Sequence, residues 1–269
     1  TPSLWSKEGL INSGLKDNKI LIIPHGVNKD YFNGVSFKER EILRNKKMID
    51  KESIILTNVG AMTENKGIEM LISVYGILKK KYKNLKLILK DQSNLYGINT
   101  DDIFKKIQGS KFNEKFKIIN KEMLDDITLI SKNLSLDELR NLYLISDCYV
   151  SPYLAEGFNL TPLEAAACGT PIFCRQYEPR AVYEEVIGYH LEENKRLRVL
   201  EFKGTKIPSK LIAKICNHVF YPQTRMVDDI HNQKVIQKRY SLTSLKKNMN
   251  YIIERLFLQL KSISSEVRS

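Results

Sequence analysis

The stretch from Cys148 to Pro171 constrains the fold more than any other part of the chain. Cys148-Tyr149-Val150-Ser151 is an unbroken run of strand length and reads as a buried strand. After a turn at Glu156-Gly157 a short helix is predicted, with Thr161 as N-cap, Pro162 at its first position and Glu164 at its third. Gly169 ends that helix after about two turns, and Pro171 prevents its continuation. Strand, glycine turn and short helix together form a phosphate cradle, because free backbone N–H groups and the helix dipole both face the loop.

The rest of the chain supplies the sheet that such a unit requires. Residues 1–14 predict a short amphipathic helix, and Lys19 to Ile23 a short strand leading into the Pro24-His25-Gly26-Val27-Asn28 turn. Residues 34–52 are polar and predict a helix with a surface loop. Ser53 to Val59 is a buried strand, followed by the loop Gly60 to Gly67. A helix comes next, with Ile68, Leu71, Ile72, Tyr75 and Leu78 at helical spacing. The lysines that close it, Lys79 to Lys83, read as a solvated helix end. Strands are predicted at 85–89, 116–119, 127–130 and 171–174, and helices at 101–108 and from the capping box Ser135-x-x-Glu138. This alternation argues for an α/β fold with a doubly wound, mostly parallel Rossmann-like sheet and helices on both faces. Beyond Arg175 the reading is a helix near 178–187, a weak strand near 197–202, and helices near 208–218, 222–239 and 242–262.

Composition narrows the class. The 269 residues suffice for one large domain, and no run of about 18 apolar residues marks a membrane span. Four cysteines show neither a CxxC nor a Cys/His metal spacing, which fits free thiols in a reducing cytoplasm. A net charge of +12 leaves an anionic ligand or peripheral contact with a membrane surface open, against a lysine-rich composition that means nothing more. Lysines are spread along the chain without a nucleic-acid module, so no nucleic-acid partner is expected.

Seven residues separate Glu156 from Glu164, with Gly157-Phe158 after the first and Gly169-x-Pro171 after the second. This pattern resembles the signature of retaining glycosyltransferases of the glycogen-synthase-like family 4, group 1. The Pro-x-Gly-Val-Asn turn at 24–28 and the Gly60 to Gly67 loop match that family in order, and the resemblance covers roughly residues 1–175. It implies one half of a GT-B fold: residues 1–269 as the C-terminal donor-binding domain. The segment 242–262 would cross back to a first, acceptor-binding domain that is not in this chain. It further implies a nucleotide diphosphate sugar as donor, with a glycan, lipid or protein as acceptor. Glu156 would touch the sugar hydroxyls and Glu164 the ribose. Gly157, Phe158, Asn159, Leu160 and Thr161 would act mainly through backbone N–H groups, and Gly26 and Gly60 would lie in loops that approach the ligand.

The chemistry needs charge stabilisation on a departing diphosphate rather than a protein nucleophile. The acidic pairs Asp101-Asp102, Asp125-Asp126 and Asp228-Asp229 are adjacent, and no Asp-x-Asp occurs, so no metal and no separate cofactor is expected. Lys66 is the leading cation, because a bare positive charge at the start of the helix from Ile68 is unfavourable unless an anion sits there. Ala61 stands where the resembling family has an arginine. Lys90 and Arg175, at carboxyl ends of strands, are the replacement candidates. That departure also motivates an alternative, a reduced domain that binds a nucleotide sugar without transferring it. Three further residues stand out by position. Glu164 has a rival role as the far end of a capping box with Thr161, His25 is a possible contact to sugar or phosphate, and Tyr153 with segment 129–134 is placed where a base stacks.

Overall fold

In a computed structural model the described residues are 1–97, 100–109, 119–175 and 200–202, together with Lys234, Lys246, Met249 and Ile253. Among the described residues six strands form one sheet: β1 (Ile54–Val59), β2 (Leu85–Lys90), β3 (Ile127–Ile130), β4 (Cys148–Ser151), β5 (Ile172–Arg175) and β6 (Leu200–Phe202). Their order is β3-β2-β1-β4-β5-β6, and every described pairing is parallel. The chain winds outward from β1 to β3, returns to lay β4 against β1, and winds outward again on the other side. The carboxyl ends of β1 and β4 therefore flank the point where winding reverses, which is where open α/β sheets hold ligands.

The helices with described bounds are α1 (Leu4–Asn12), α2 (Phe37–Lys46), α3 (Ile68–Lys81), α4 (Ser93–Tyr96), α5 (Thr100–Gln108), α6 (Lys121–Asp125), α7 (Leu136–Ile145) and α8 (Leu160–Ala167). Strand side chains alternate between two cores. Leu56, Cys148 and Val150 pack under α3 and α5 with Leu71, Tyr75, Leu78, Ile103 and Ile107. Ile55, Val59 and Tyr149 pack on the opposite face with Leu142, Tyr143, Leu163 and Ala166 of α7 and α8. Both α2 and α7 begin with a complete capping box, Ser36 with Glu39 and Ser135 with Glu138. At the amino end of the sheet, Asp147 accepts from Arg40 (2.8 Å), Arg44 (3.1 Å) and the Ile55 amide (2.8 Å), which fastens α2 across β1 and β4.

Several expectations need correction. Lys19 to Ile23 is not a strand of the sheet: a 3₁₀ turn covers Asp17–Lys19, and the extended chain after it is held by the Thr1 backbone through Leu21 and Ile23. Helix α1 has no buried residue, so its apolar side chains Leu10 and Ile11 lie on the surface instead of on a core-facing stripe. Lys79 is not left to solvent, because Asp126 and the Leu85 carbonyl take its ammonium. The strand expected at 116–119 lies outside the described residues except for Ile119, as do the helices near 178–187, 208–218 and most of 222–239. Within 242–262, Lys246, Met249 and Ile253 are helical and exposed.

Candidate functional site

Two loops meet at the carboxyl ends of β1 and β4. After β1, residues 60–67 turn through a short 3₁₀ segment, Glu64–Lys66, and enter α3 at Gly67. Gly67 adopts φ +61°, and a Cβ there would stand 2.3 Å from the Pro152 carbonyl oxygen. Only glycine tolerates that combination. A side chain at Gly60 would likewise meet the Tyr153 hydroxyl at 2.3 Å. The Asn65 carbonyl accepts from the Leu154 amide (2.6 Å), and the Asn65 amide group donates to the Ala155 carbonyl (3.2 Å). These contacts dock the first loop against the second.

That docking brings Lys66 to Glu156, 90 positions away in the chain. The two side chains form an ion pair that is 16% and 23% exposed. The Lys66 ammonium also sits 4.2 Å from the centre of the Tyr153 ring, a cation–π contact. The charge that the helix dipole disfavours is therefore met by Glu156 and an aromatic face. Tyr153 is buried, and its hydroxyl donates to the Val59 carbonyl at 2.8 Å. Its ring thus supports Lys66 and is not exposed for a base to stack on.

The glycine turn and α8 follow. Glu156 also accepts from the Gly157 amide at 3.2 Å. The Gly157 carbonyl takes hydroxyl bonds from Ser3 (2.5 Å) and Ser6 (3.1 Å), so the start of α1 braces the turn. Phe158 is buried and meets the His25 ring edge-on at 5.1 Å, which places the Gly26 loop against the same turn. Asn159, not Thr161, is the N-cap of α8. It takes the left-handed conformation (φ 65°) and donates to Ser151 at 2.8 Å. Asparagine is among the few residues that accept this conformation.

The start two residues earlier dissolves the expected capping box. Leu160 becomes the first helical residue and Thr161 the second, and the Thr161 hydroxyl is bonded to that of Tyr149 at 2.7 Å. Glu164 is then too far into the helix to reach back to its cap. It accepts instead from the Tyr143 hydroxyl at 2.8 Å. Burial raises its carboxyl to about 7, partly offset by that bond. A carboxyl that titrates near neutrality has the features of a functional-site group.

The remaining candidates lie nearby. Lys90 ends β2 beside β1, and its carbonyl accepts from Gly60 at 3.0 Å. It is buried, burial lowers its pKa, and its ammonium bonds the Asp91 carbonyl. The Arg175 backbone ends β5, and its side chain lies outside the described residues. Ala61 is buried. Residues 131–134 follow β3, with Ser131 bonded to Asp91 at 2.8 Å. Among the described residues no three His, Cys, Asp or Glu side chains cluster as a metal site would. Sequence reasoning missed Tyr143, Asn65 and Ser3. A buried tyrosine hydroxyl needs a partner, and that signal was present for Tyr143, but it does not say which partner.

The fold and these two loops define a Rossmann-like α/β domain of the GT-B glycosyltransferase fold. Residues 39–197 match the family described as glycosyl transferases group 1, and the chain belongs to that family. It is 28% identical to mannosylfructose-phosphate synthase of Agrobacterium fabrum over 158 residues, covering 59% of this chain and 33% of that protein. It is 25% identical to alpha-galactosylglucosyldiacylglycerol synthase of Streptococcus pneumoniae over 171 residues, covering 64% and 41%. The chain thus spans about two-fifths or less of the length of these relatives. Sucrose-phosphate synthase from Thermosynechococcus elongatus superposes with a TM-score of 0.71 at 18% identity, over 96% of this chain and 58% of that one. Anabaena Alr3699/HepE in complex with UDP and glucose superposes with a TM-score of 0.72 at 15% identity, over 94% and 62%. Among the described residues no helix is long and apolar enough to cross a membrane.

Proposed function

We propose that this chain is the donor-binding half of a retaining, metal-independent hexosyltransferase that uses a nucleotide diphosphate sugar. The observation that carries the proposal is the convergence of Lys66 and Glu156 at the reversal point of the sheet, with Glu164 partly buried in the adjoining helix. The Lys66 ammonium and the start of α8 take the diphosphate, and the backbone of residues 157–161 follows its oxygens. Glu156 then accepts from sugar hydroxyls and Glu164 from the ribose. In the reaction the bond between the anomeric carbon and the diphosphate oxygen breaks. A bond to the acceptor oxygen forms on the same face of the sugar, and the acceptor proton leaves with the diphosphate. Stabilising the charge on that diphosphate is the term the protein supplies. The absence of an Asp-x-Asp sequence and the placement of Lys66 support a cation of the protein in the role of a metal.

The acceptor-binding half would be a separate region or chain, in keeping with the greater length of the relatives. Alr3699/HepE has been crystallised with UDP-glucose, which supports a nucleotide sugar as the ligand class for this fold. Titration calorimetry with UDP-glucose, ADP-glucose and GDP-mannose in EDTA tests the reading. Saturable binding of one donor in EDTA is expected. Binding of none, or binding that requires added Mg²⁺ or Mn²⁺, sinks it.

A further inference from the structure

Glu164 does not stand alone in its helix. The Tyr143 side chain that reaches it is fully buried and comes from α7, the neighbouring helix. The ring is fixed by Phe32, 6.0 Å away, and by an edge contact with Tyr149 at 5.8 Å. Its own backbone carbonyl is pinned by the Thr170 hydroxyl at 2.7 Å, just past the end of α8. The phenol therefore has one orientation, and its hydroxyl occupies only one of the two carboxylate oxygens of Glu164, Oε2.

We propose that Tyr143 is a positioning residue, whose buried hydroxyl holds the Glu164 carboxylate in the orientation that ribose recognition requires. The proposal rests on the reading of Glu164 as the ribose acceptor. Its physical basis is that a carboxylate in apolar surroundings keeps its charge only where a fixed donor offsets the lost water. Burial also pushes the Tyr143 phenol well above its ordinary range, so it remains a donor throughout the pH range in which a protein works. The other groups around Glu164 do not compete for its proton. At the C-cap of α8 burial pushes the Cys168 thiol up to about 12, and on β4 burial holds the Tyr149 phenol well above its usual value. On α7, Arg140 donates to Asn33 at 2.5 Å.

Binding of UDP-glucose between pH 5.5 and 9 tests this, because its diphosphate diester does not titrate in that range. Wild type, Tyr143→Phe, Glu164→Gln and the double variant are compared, with ADP-glucose and GDP-mannose substituted if either is the preferred donor. Wild-type affinity is expected to fall as pH drops through about 7, where Glu164 takes up a proton. Removing the hydroxyl moves that midpoint upward, so for a one-unit shift Tyr143→Phe loses about fivefold in affinity at pH 7 and about tenfold at pH 5.5. In the Glu164→Gln background the same substitution leaves the pH profile unchanged. A Tyr143→Phe variant that melts earlier but keeps the wild-type pH profile overturns the positioning role, while a Glu164→Gln loss in the same experiment upholds the ribose reading. Binding of no donor by wild type, or Glu164→Gln binding like wild type at every pH, overturns that reading and the inference with it.

Discussion

Glu164→Gln is expected to stabilise the protein at pH 8 while weakening donor binding there. Burial raises this carboxyl from 4.5 to about 7. The folded protein thus keeps a proton that the unfolded chain releases over that window. A folded-state pKa above the unfolded one contributes stability that is fully present below about 4.5 and lost as pH rises through about 7. At 1.36 kcal/mol per unit, the loss between pH 4.5 and pH 8 is about 3 kcal/mol. Glutamine has the same shape, still accepts from Tyr143 and carries no charge, so it removes the loss. For a chain of this size the gain at pH 8 corresponds to roughly 5–10 °C in Tm, with little gain at pH 4.5. Thermal unfolding of both proteins at the two pH values measures it. An equal difference at both pH values would refute the reasoning, since it would mean that Glu164 is not charged against its surroundings. A carboxylate kept at such a cost is the expected mark of a residue retained for binding.

Glu156→Gln should tighten binding of free UDP about fivefold, because Glu156 no longer competes for Lys66 and a partly buried ion pair contributes about 1 kcal/mol. Weaker UDP binding in calorimetry would contradict the exchange of partners. Lys66→Ala should weaken UDP by about 1.5–3 kcal/mol while leaving uridine unaffected, and equal weakening of both would remove Lys66 from the diphosphate. Gly67→Ala should cost on the order of 1–3 kcal/mol in urea unfolding, given its positive φ and the Pro152 carbonyl. Gly9→Ala, in α1 with open space around it, should be neutral or gain about 0.5–1 kcal/mol, and similar losses in both would show that the Pro152 contact is not the cause.

Much of the fold was legible because periodicity is local. Ile54–Val59, Leu85–Lys90 and Cys148–Ser151 are strands as their apolar runs dictate, and Ser135 with Glu138 caps α7 as spacing alone predicts. The Gly169 turn ends α8 with φ +79°, again a local requirement of the chain. Local rules failed where a distant group outbid them. Thr161-x-x-Glu164 satisfies the capping-box pattern, yet Asn159 begins the helix because its side chain reaches Ser151 on β4. Glu164 is then released to a partner on another helix.

The sequence by itself determined the parallel sheet, the two glycine loops and the residue types that ligand chemistry requires. It contained Lys66 and Glu156 as separate entries in two motifs. Only the tertiary structure decided that they face each other, that Tyr153 lies beneath the lysine, and that Lys90 turns to a neighbouring carbonyl. Spacing along a chain fixes which residues share a helix face or a strand. Which side chains meet across 90 positions depends on strand order, since β1 and β4 become neighbours only when the winding reverses.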